Sequence, residues 1–330
     1  MPYDVCVLSD IFGMFVTKYL SKITEEVNRK NCLPIEKYDE LLPQFEESPV
    51  IAKHIFQICL LGDGSSSERV MHRLTPEFID NIDKLKRNNP EYNYHLFSDQ
   101  EARQFILQYY GPFVWNYYRR IDSAYLAAKA DLLRYLVLYA LGGVYLDLKS
   151  TVDSPFSEVL REDDRFMVFY WDNMPNGQHH YLIPEYIQKG EMLQGFIISA
   201  SGHAFLRKVI LSVLQKIDRY NPYKDGIGWE GTLKTVGPVI YTQTVFNLIQ
   251  DTDDLYYREA GPFNEFGYRL SFLGTYSPGQ YQKSLLMKDY RKSSRPVIMN
   301  GNRWVQAVNV LYLKILKCFR SISMTKQILV

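Results

Sequence analysis

Residues 122–150 read DSAYLAAKADLLRYLVLYALGGVYLDLKS, and this stretch decides the fold. Four apolar side chains in its first half recur at intervals of three and four residues: Leu126, Ala130, Leu133 and Val137. This spacing predicts one long helix with a buried face. Asp131 and Arg134 are three residues apart and therefore share a face of that helix. In so apolar a helix, the two charges form either an internal ion pair or a pair that binds a ligand.

Both ends of the predicted helix carry residues that are typical of helix boundaries. Asp122 and Ser123 are good N-cap residues, and Gly142-Gly143 allows the left-handed turn that ends many helices. The next residues, Val144–Asp147, predict a short buried strand that ends in a carboxylate. Open α/β sheets bind their ligands in the crevice at the carboxyl ends of their strands. We therefore expect Asp147 to face a ligand site.

The chain on either side of this stretch alternates between strand-like and helix-like segments. Val50–Leu61 is a compact apolar run that predicts a strand, and Thr75-Pro76 opens a helix that ends near Arg87. Further elements are predicted as strands at 92–97, 165–171 and 196–199, helices at 100–109, 204–217 and 239–250, and a loop at 226–231. This alternation is typical of an α/β protein with a single, mostly parallel sheet flanked by helices.

Three regions are predicted along the chain. Residues 1–48 form a helical N-terminal extension, residues 49–304 form the α/β domain, and residues 305–330 form an amphipathic C-terminal helix. That last region mixes apolar side chains with four basic ones: Lys314, Lys317, Arg320 and Lys326. Packing of this helix on the domain is favoured, and peripheral contact with a membrane is the alternative.

Composition excludes several classes of protein. The 330 residues are 46% hydrophobic and 23% charged, with a formal net charge of +1, so charge alone indicates neither a nucleic-acid partner nor attraction to a membrane. The four cysteines are scattered without a CxxC pair, which argues against a zinc ribbon or a disulfide framework. No apolar run is long enough for a transmembrane helix. A reducing, cytoplasmic location is the simplest expectation.

Four blocks, taken together and in this order, resemble the glycosyltransferases with a DXD sugar-binding region. The blocks are Ile51–Leu60, Asn89–Asp99, Ala130–Tyr135 and Gly142–Asp147. The family includes fungal α-1,6-mannosyltransferases, mannosylinositol phosphorylceramide synthases and bacterial capsular-polysaccharide transferases. Each block alone would be a weak signal, whereas their joint occurrence is specific.

The resemblance implies a GT-A fold, a nucleotide diphosphate sugar as donor, Mn²⁺ or Mg²⁺ as cofactor, and transfer of a hexose with retention of configuration. It places Asp131 and Arg134 at the donor sugar, where a carboxylate accepts from hydroxyls and a guanidinium offers a rigid fork of donors. Asp147 matches the first carboxylate of the DXD motif. A carboxylate there can hold the nucleotide ribose and a hard cation that bridges the diphosphate.

The motif departs from the family pattern at Lys149, where relatives carry the second Asp that usually binds the metal. Three explanations are open. Another oxygen ligand, such as Asp153 or Asn302, can hold the metal. The Lys149 ammonium can itself neutralise part of the leaving diphosphate, as lysines do in phosphate sites. In the third explanation, the protein has lost catalysis.

The resemblance also suggests residues around the nucleotide. Gln57 is expected to line its pocket, whereas Cys59 stands where the family has Trp. Trp304, with Asn302 two residues before it, resembles the C-terminal loop that closes over the donor.

Two loop carboxylates, Asp172 and Glu230, could act as the acceptor's base if the enzyme inverted configuration, although exposed loop carboxylates are mostly only solvated.

Taken together, the resemblance and the site residues predict a hexosyltransferase that acts on a glycan, lipid or protein acceptor. The alternative is a non-catalytic nucleotide-sugar or glycan-binding protein with a degenerate metal site.

Overall fold

A computed structural model describes residues 5–171, 182–252, 255–272, 289–299 and 303–328. Its core is a four-stranded sheet in the order β2-β1-β3-β5. The strands span His54–Ile58 (β1), Asn93–Phe97 (β2), Gly143–Leu146 (β3) and Phe196–Ser199 (β5). β1 pairs in parallel with β2 and β3, and β5 runs antiparallel to β3. The prediction of an α/β fold with a mostly parallel sheet is confirmed.

Two shorter strands, β4 (Met167–Val168) and β6 (Arg258–Glu259), form a separate parallel pair. The helices are α1 (Val5–Asn31), α2 (Ile35–Leu41), α3 (Ser67–Met71), α4 (Pro76–Asn88), α5 (Asp99–Arg120), α6 (Leu126–Leu141), α7 (Phe156–Val159), α8 (Ala204–Arg219), α9 (Gly228–Thr235), α10 (Pro238–Asp251) and α11 (Arg303–Ile328). A 3₁₀ turn spans Tyr290–Lys292. As predicted, helices flank the sheet.

Helix α6 is the centre of the core rather than a helix with one buried face. Every residue from Asp131 to Tyr139 is buried. The prediction that Asp122 or Ser123 caps this helix is wrong, because the helix begins at Leu126 after Tyr125. Asp122 instead accepts a hydrogen bond from the Ala124 backbone and pairs with Arg295.

The two glycines after α6 are required by close packing, as well as by backbone conformation. Gly142 has φ 64° and Gly143 has φ 114°, which confirms the predicted left-handed stop. A Cβ on Gly142 would lie 2.6 Å from the Ser201 backbone nitrogen, and one on Gly143 would lie 2.7 Å from the His54 carbonyl oxygen. The chain therefore turns directly from α6 into β3, at the middle of the sheet.

One predicted break in the helices is present and one is not. The segment called α5 is interrupted at Gly111, where φ is 68° and ψ is −168°, so its first part ends close to residue 109, as predicted, and a second helical part runs on to Arg120. Gly228–Thr235 forms helix α9, so the loop predicted for 226–231 is wrong. The glycines in that stretch suggested a loop but do not prevent the helix.

The first and last helices pack against each other outside the sheet. Tyr312 of α11 donates to the Gly13 carbonyl of α1, and Asn309 donates to Thr24. Within the described ranges, none of the helices combines the length and apolarity that a membrane-spanning segment needs.

Candidate functional site

Two parts of the chain bring charged side chains together at the carboxyl end of β3. Helix α6 supplies Asp131 and Arg134, and the residues after β3 supply Asp147 and Lys149. Arg134 Nη2 lies 2.5 Å from Oδ1 of Asp131, and its Nη1 lies 3.4 Å from Oδ1 of Asp147. Lys149 Nζ lies 3.7 Å from the other Asp147 oxygen, Oδ2. The four residues that the sequence singled out therefore form one cluster.

Arg134 is held rigidly inside this cluster. Its Nη1 donates to the Gln194 carbonyl at 2.9 Å, and its guanidinium lies 4.5 Å from the centre of the Tyr145 ring. Both side chains of the Asp131–Arg134 pair are nearly inaccessible, so the pair has little freedom to reorient. A guanidinium fixed in this way presents its fork in a single geometry.

The backbone around Asp147 is fixed by three hydrogen bonds. Its N–H donates to the Gly195 carbonyl, and its own carbonyl accepts from Ser150 N–H. The same carbonyl accepts from Gln57 Nε2 at 3.1 Å, and Tyr94 donates to Gln57 Oε1 at 2.9 Å. Gln57 thus lies next to Asp147, and both ends of its buried amide bind protein groups. It positions the end of β3. Its place in the nucleotide pocket stays a prediction.

The carboxylate of Asp147 receives further support from its own strand. Tyr145 donates its hydroxyl to Oδ1 at 2.9 Å. On the other side, Gly195 approaches so closely that a Cβ there would lie 3.0 Å from Oδ2. Asp147 and Lys149 each keep about a fifth of their side-chain surface exposed, with values of 24% and 22%. This is where the cluster opens to solvent.

Burial alters the acidity of Asp131. Loss of water around the carboxyl raises its pKa from 3.8 to about 7, and the charge on Asp147 adds to that rise, although Arg134 and Lys149 oppose it. Among the hydrogen bonds between described residues, only Oδ1 of Asp131 has a protein donor. Oδ2 is therefore the atom that can accept from a bound hydroxyl.

The described residues do not fit a divalent cation well. Both oxygens of Asp147 face positive charge, with Arg134 near one and Lys149 near the other. No group of three His, Cys, Asp or Glu side chains in the described part of the chain could hold a metal ion. Asp153, an alternative ligand in the sequence analysis, pairs with Lys84 and Arg269 instead. The predicted Mn²⁺ or Mg²⁺ site has no support in this arrangement.

The remaining predicted site residues lie elsewhere or beyond the described ranges. Asn302 and Asp172 fall outside the described residues. Trp304 is at the start of α11 with 83% of its surface exposed, and its role at the donor stays a prediction. Glu230 is on helix α9, where it pairs with Lys234 one turn away, so the expectation that it lies in a loop is wrong.

Sequence reasoning missed three residues that shape the cluster: Tyr145, Gln194 and Gly195. Tyr145 lies within the GGVYLD block, where its alternation with Asp147 on the strand could have indicated a shared face. No sequence signal marks Gln194 and Gly195. Their place beside Arg134 and Asp147 depends on the antiparallel pairing of β5 with β3.

One family of known proteins matches the part of the chain that holds this cluster. Residues 75–167, which hold all of α6 and β3, match the family described as "Glycosyltransferase sugar-binding region containing DXD motif". This stretch of the chain is similar to that family. The predicted resemblance is confirmed, and Asp131, Arg134, Asp147 and Lys149 all fall within the matched residues.

Two curated fungal proteins are similar in sequence. The initiation-specific alpha-1,6-mannosyltransferase of Candida albicans is 26% identical over 249 residues, which are 68% of this chain and 61% of that protein. Inositol phosphoceramide mannosyltransferase 3 of Schizosaccharomyces pombe is 43% identical over 61 residues, 18% of this chain and 16% of that protein. The matches therefore span less than two thirds of the relatives' own length.

Solved structures of glycosyltransferases overlap broadly but with low scores. PaToxG Glycosyltransferase has a TM-score of 0.42 and 15% identity, covering 92% of this chain and 98% of that one. The ligand-free glycosyltransferase domain of the YGT toxin has a TM-score of 0.40 and 10% identity, covering 81% and 98%.

Proposed function

We propose that this protein is a hexosyltransferase that uses a nucleotide diphosphate sugar and transfers its sugar to a glycan, lipid or protein acceptor with retention of configuration. The observation that carries the proposal is the buried Asp131–Arg134 pair beside Asp147. It lies at the carboxyl end of a central strand, where α/β sheets bind ligands. The matched sugar-binding region supports the same reading.

In this proposal, Asp131 and Arg134 orient the donor sugar. The Oδ2 atom of Asp131 accepts from a sugar hydroxyl, while Oδ1 stays with Arg134. Because Arg134 is fixed by Gln194 and Tyr145, its position changes little when the sugar binds. A site held in place before binding loses less free energy to ordering.

Lys149 stabilises the leaving nucleotide diphosphate. Asp carries a charge of −1 and Lys carries a charge of +1. A Lys in place of an Asp at this position therefore raises the local charge by as much as one bound divalent cation would. The Lys149 ammonium is partly exposed beside Asp147, within reach of an anion that enters the opening. An ammonium placed where negative charge develops favours departure of the phosphate. The charge that a metal would supply is then built into the chain.

Finer parts of the proposal come from the relatives and from the composition. Both curated relatives are named mannosyltransferases, so a mannosyl donor is the first to test. We also propose that the protein takes part in polysaccharide biosynthesis and is located in the cytoplasm.

Binding and turnover of donors test this function directly. Thermal-shift measurements with GDP-mannose, UDP-glucose, UDP-galactose and UDP-N-acetylglucosamine should identify one donor that raises the unfolding temperature most. Release of free nucleotide from that donor, with and without acceptors, should then be abolished in Asp147→Asn. Asp39→Asn, an exposed carboxylate on α2, serves as the matched control and should keep full activity.

The rival function is that of a non-catalytic nucleotide-sugar-binding protein. The presence of Lys149 in place of the motif's second Asp favours this rival. Donor binding without nucleotide release, for every acceptor and in the presence of Mn²⁺, would support that rival. Unchanged turnover in Asp147→Asn would contradict the site assignment itself.

A further inference from the structure

Helices α1 and α11 pack antiparallel to each other and place their polar residues inside. Thr17 of α1 lies 3.0 Å from the Tyr312 hydroxyl, whereas Thr24, further along α1, accepts from Asn309, which precedes Tyr312. The same inner side contacts the main domain, because Asn28 donates to the Tyr220 carbonyl at 2.7 Å. The polar groups that a surface helix usually exposes are buried here.

The outer side of α11 is apolar. Four exposed side chains recur at intervals of four, three and four residues and therefore form one stripe: Trp304, Val308, Leu311 and Ile315. Leu311 is 62% exposed and Trp304 is 83% exposed. This pattern reverses the usual amphipathic arrangement, in which the apolar stripe of a surface helix faces the core.

Helix α1 repeats this reversal. Met14, Phe15 and Tyr19 are exposed, with Phe15 at 70%. Lys18 and Lys22 are exposed on the same side, whereas Ser21, at the border of that side, is buried and accepts from Asn221. We call the exposed apolar residues of the two helices the helix-pair face: Met14, Phe15, Tyr19, Trp304, Val308, Leu311 and Ile315.

Basic residues predominate among the charged residues in the sequence of α11. The sequence of α11 contains five basic residues and no Asp or Glu: Arg303, Lys314, Lys317, Arg320 and Lys326. Lys314 is exposed beside the stripe, and Lys18 and Lys22 add positive charge on α1. Aromatic and aliphatic side chains among basic ones are typical of helices that lie in the interface of anionic membranes.

We propose that the helix-pair face docks on the surface of an anionic membrane, with both helices lying in the plane of the interface. Apolar side chains enter the boundary between headgroups and acyl chains, where Trp and Tyr are also favoured. The basic side chains bind lipid phosphates. Hydrogen bonds between these helices and the main domain, such as the one from Asn28 to the Tyr220 carbonyl, then hold the domain at the membrane. This docking is independent of the chemistry at Asp147.

Vesicle flotation with the full chain tests the proposal. The protein should bind vesicles of phosphatidylcholine mixed with phosphatidylserine and bind much less to pure phosphatidylcholine. Phe15→Ser combined with Leu311→Ser should lower vesicle affinity at least about tenfold, because each removes an apolar side chain from the face. Lys18→Glu combined with Lys314→Glu should lower binding to the anionic vesicles alone.

The controls separate docking from folding and from other partners. Tyr256→Ser removes an exposed aromatic side chain elsewhere, at 75% exposure, and should leave vesicle binding unchanged. Circular dichroism and the unfolding temperature should be the same for all variants, since the substituted side chains are exposed. Absence of binding to anionic vesicles, or equal binding by the Phe15/Leu311 double variant, overturns the proposal. A dimer in buffer that the double variant dissociates would also overturn it, because a second copy would then cover the face.

Discussion

The Nζ atom of Lys149 lies 3.7 Å from Oδ2 of Asp147, at the open side of a cluster whose other members are buried. The ammonium stands at the third position of Asp147-Leu148-Lys149, where the resemblance implies a second carboxylate. Because Arg134 faces the other oxygen of Asp147, this carboxylate lies between two positive groups. The chemistry proposed for the protein depends on that relationship.

Removal of the positive charge of Lys149 should slow departure of the nucleotide diphosphate. We expect Lys149→Ala to lower kcat about a hundredfold, the usual effect of removing one group that stabilises developing negative charge. Lys149→Arg keeps the charge and should retain more activity than Lys149→Ala. Initial rates of nucleotide release in EDTA provide the measurement. Wild-type activity that disappears in EDTA and returns with Mn²⁺ would show that Lys149 does not replace a metal.

The reverse substitution should create a need for metal. Lys149→Asp restores the second carboxylate and removes the internal positive charge, so we expect almost no activity in EDTA and partial recovery with Mn²⁺. The wild-type protein, assayed in parallel, should respond little to either addition. A variant that remains inactive at all Mn²⁺ concentrations, although it is folded and binds the donor, would contradict this expectation.

Asp131 should make stability depend on pH. Burial raises its pKa in the folded protein to about 7, above the ordinary 3.8. Between these values the folded state binds more protons than the unfolded chain, so the stabilising contribution is complete below about pH 4 and is lost as pH rises through 7. Over this range the contribution of Asp131 to the free energy of unfolding should fall by up to about 1.4 kcal/mol per pH unit. Urea unfolding of Asp131→Asn at several pH values should lack this component.

Asp164→Asn is the matched control for that experiment. Asp164 is also buried and paired with an arginine, Arg258, but the hydrogen bonds of the pair overcome desolvation and lower its pKa. Its removal should leave the slope between pH 4 and 7 in place. An Asp131→Asn protein with the wild-type slope would contradict the assignment.

Gly195 should matter to activity more than to stability. A Cβ there would lie 3.0 Å from Oδ2 of Asp147, so Gly195→Ala must shift that carboxylate by a few tenths of an ångström. We expect kcat/KM to fall about tenfold, since small misplacements at a reacting centre are costly. Gly261→Ala, whose Cβ meets its nearest atom at 3.7 Å, is the control and should behave as wild type. Equal activities of the two variants would exclude this role for Gly195.

His203 should limit stability in acid. It is the N-cap residue of α8, and its Nδ1 accepts a hydrogen bond from Phe205 N–H. The ring proton is therefore on Nε2, which donates to the Tyr256 carbonyl. Burial lowers its pKa from 6.5 to about 4, so stability that is complete above 6.5 is lost as pH falls toward 4. His203→Asn keeps a capping oxygen but cannot titrate, so the loss of unfolding free energy toward low pH should be smaller in this variant than in the wild type.

The exposed His72 provides the comparison for His203. His72→Asn should show the wild-type acid dependence in urea unfolding between pH 4 and 7. If His203→Asn shows that dependence as well, the acid sensitivity arises from another group.

Local patterns in the sequence determined the elements that carry the site. The apolar spacing of α6, the two glycines after it and the carboxylate that ends β3 were all readable, because helix period, left-handed turns and strand burial depend on neighbouring residues. The order of the four blocks also indicated the glycosyltransferase region. These patterns together single out Asp131, Arg134, Asp147 and Lys149.

The tertiary structure alone decided what surrounds those residues. Gly195 and Gln194 reach Asp147 and Arg134 because β5 pairs antiparallel with β3, a contact between segments some fifty residues apart that no local pattern encodes. Asp122 has the side chain of a helix cap, yet Arg295, far along the chain, competes for its carboxylate. The polar inner side of α1 and α11 likewise exists only because the two ends of the chain pack together. Local propensity sets which elements can form, whereas long-range packing sets which side chains meet.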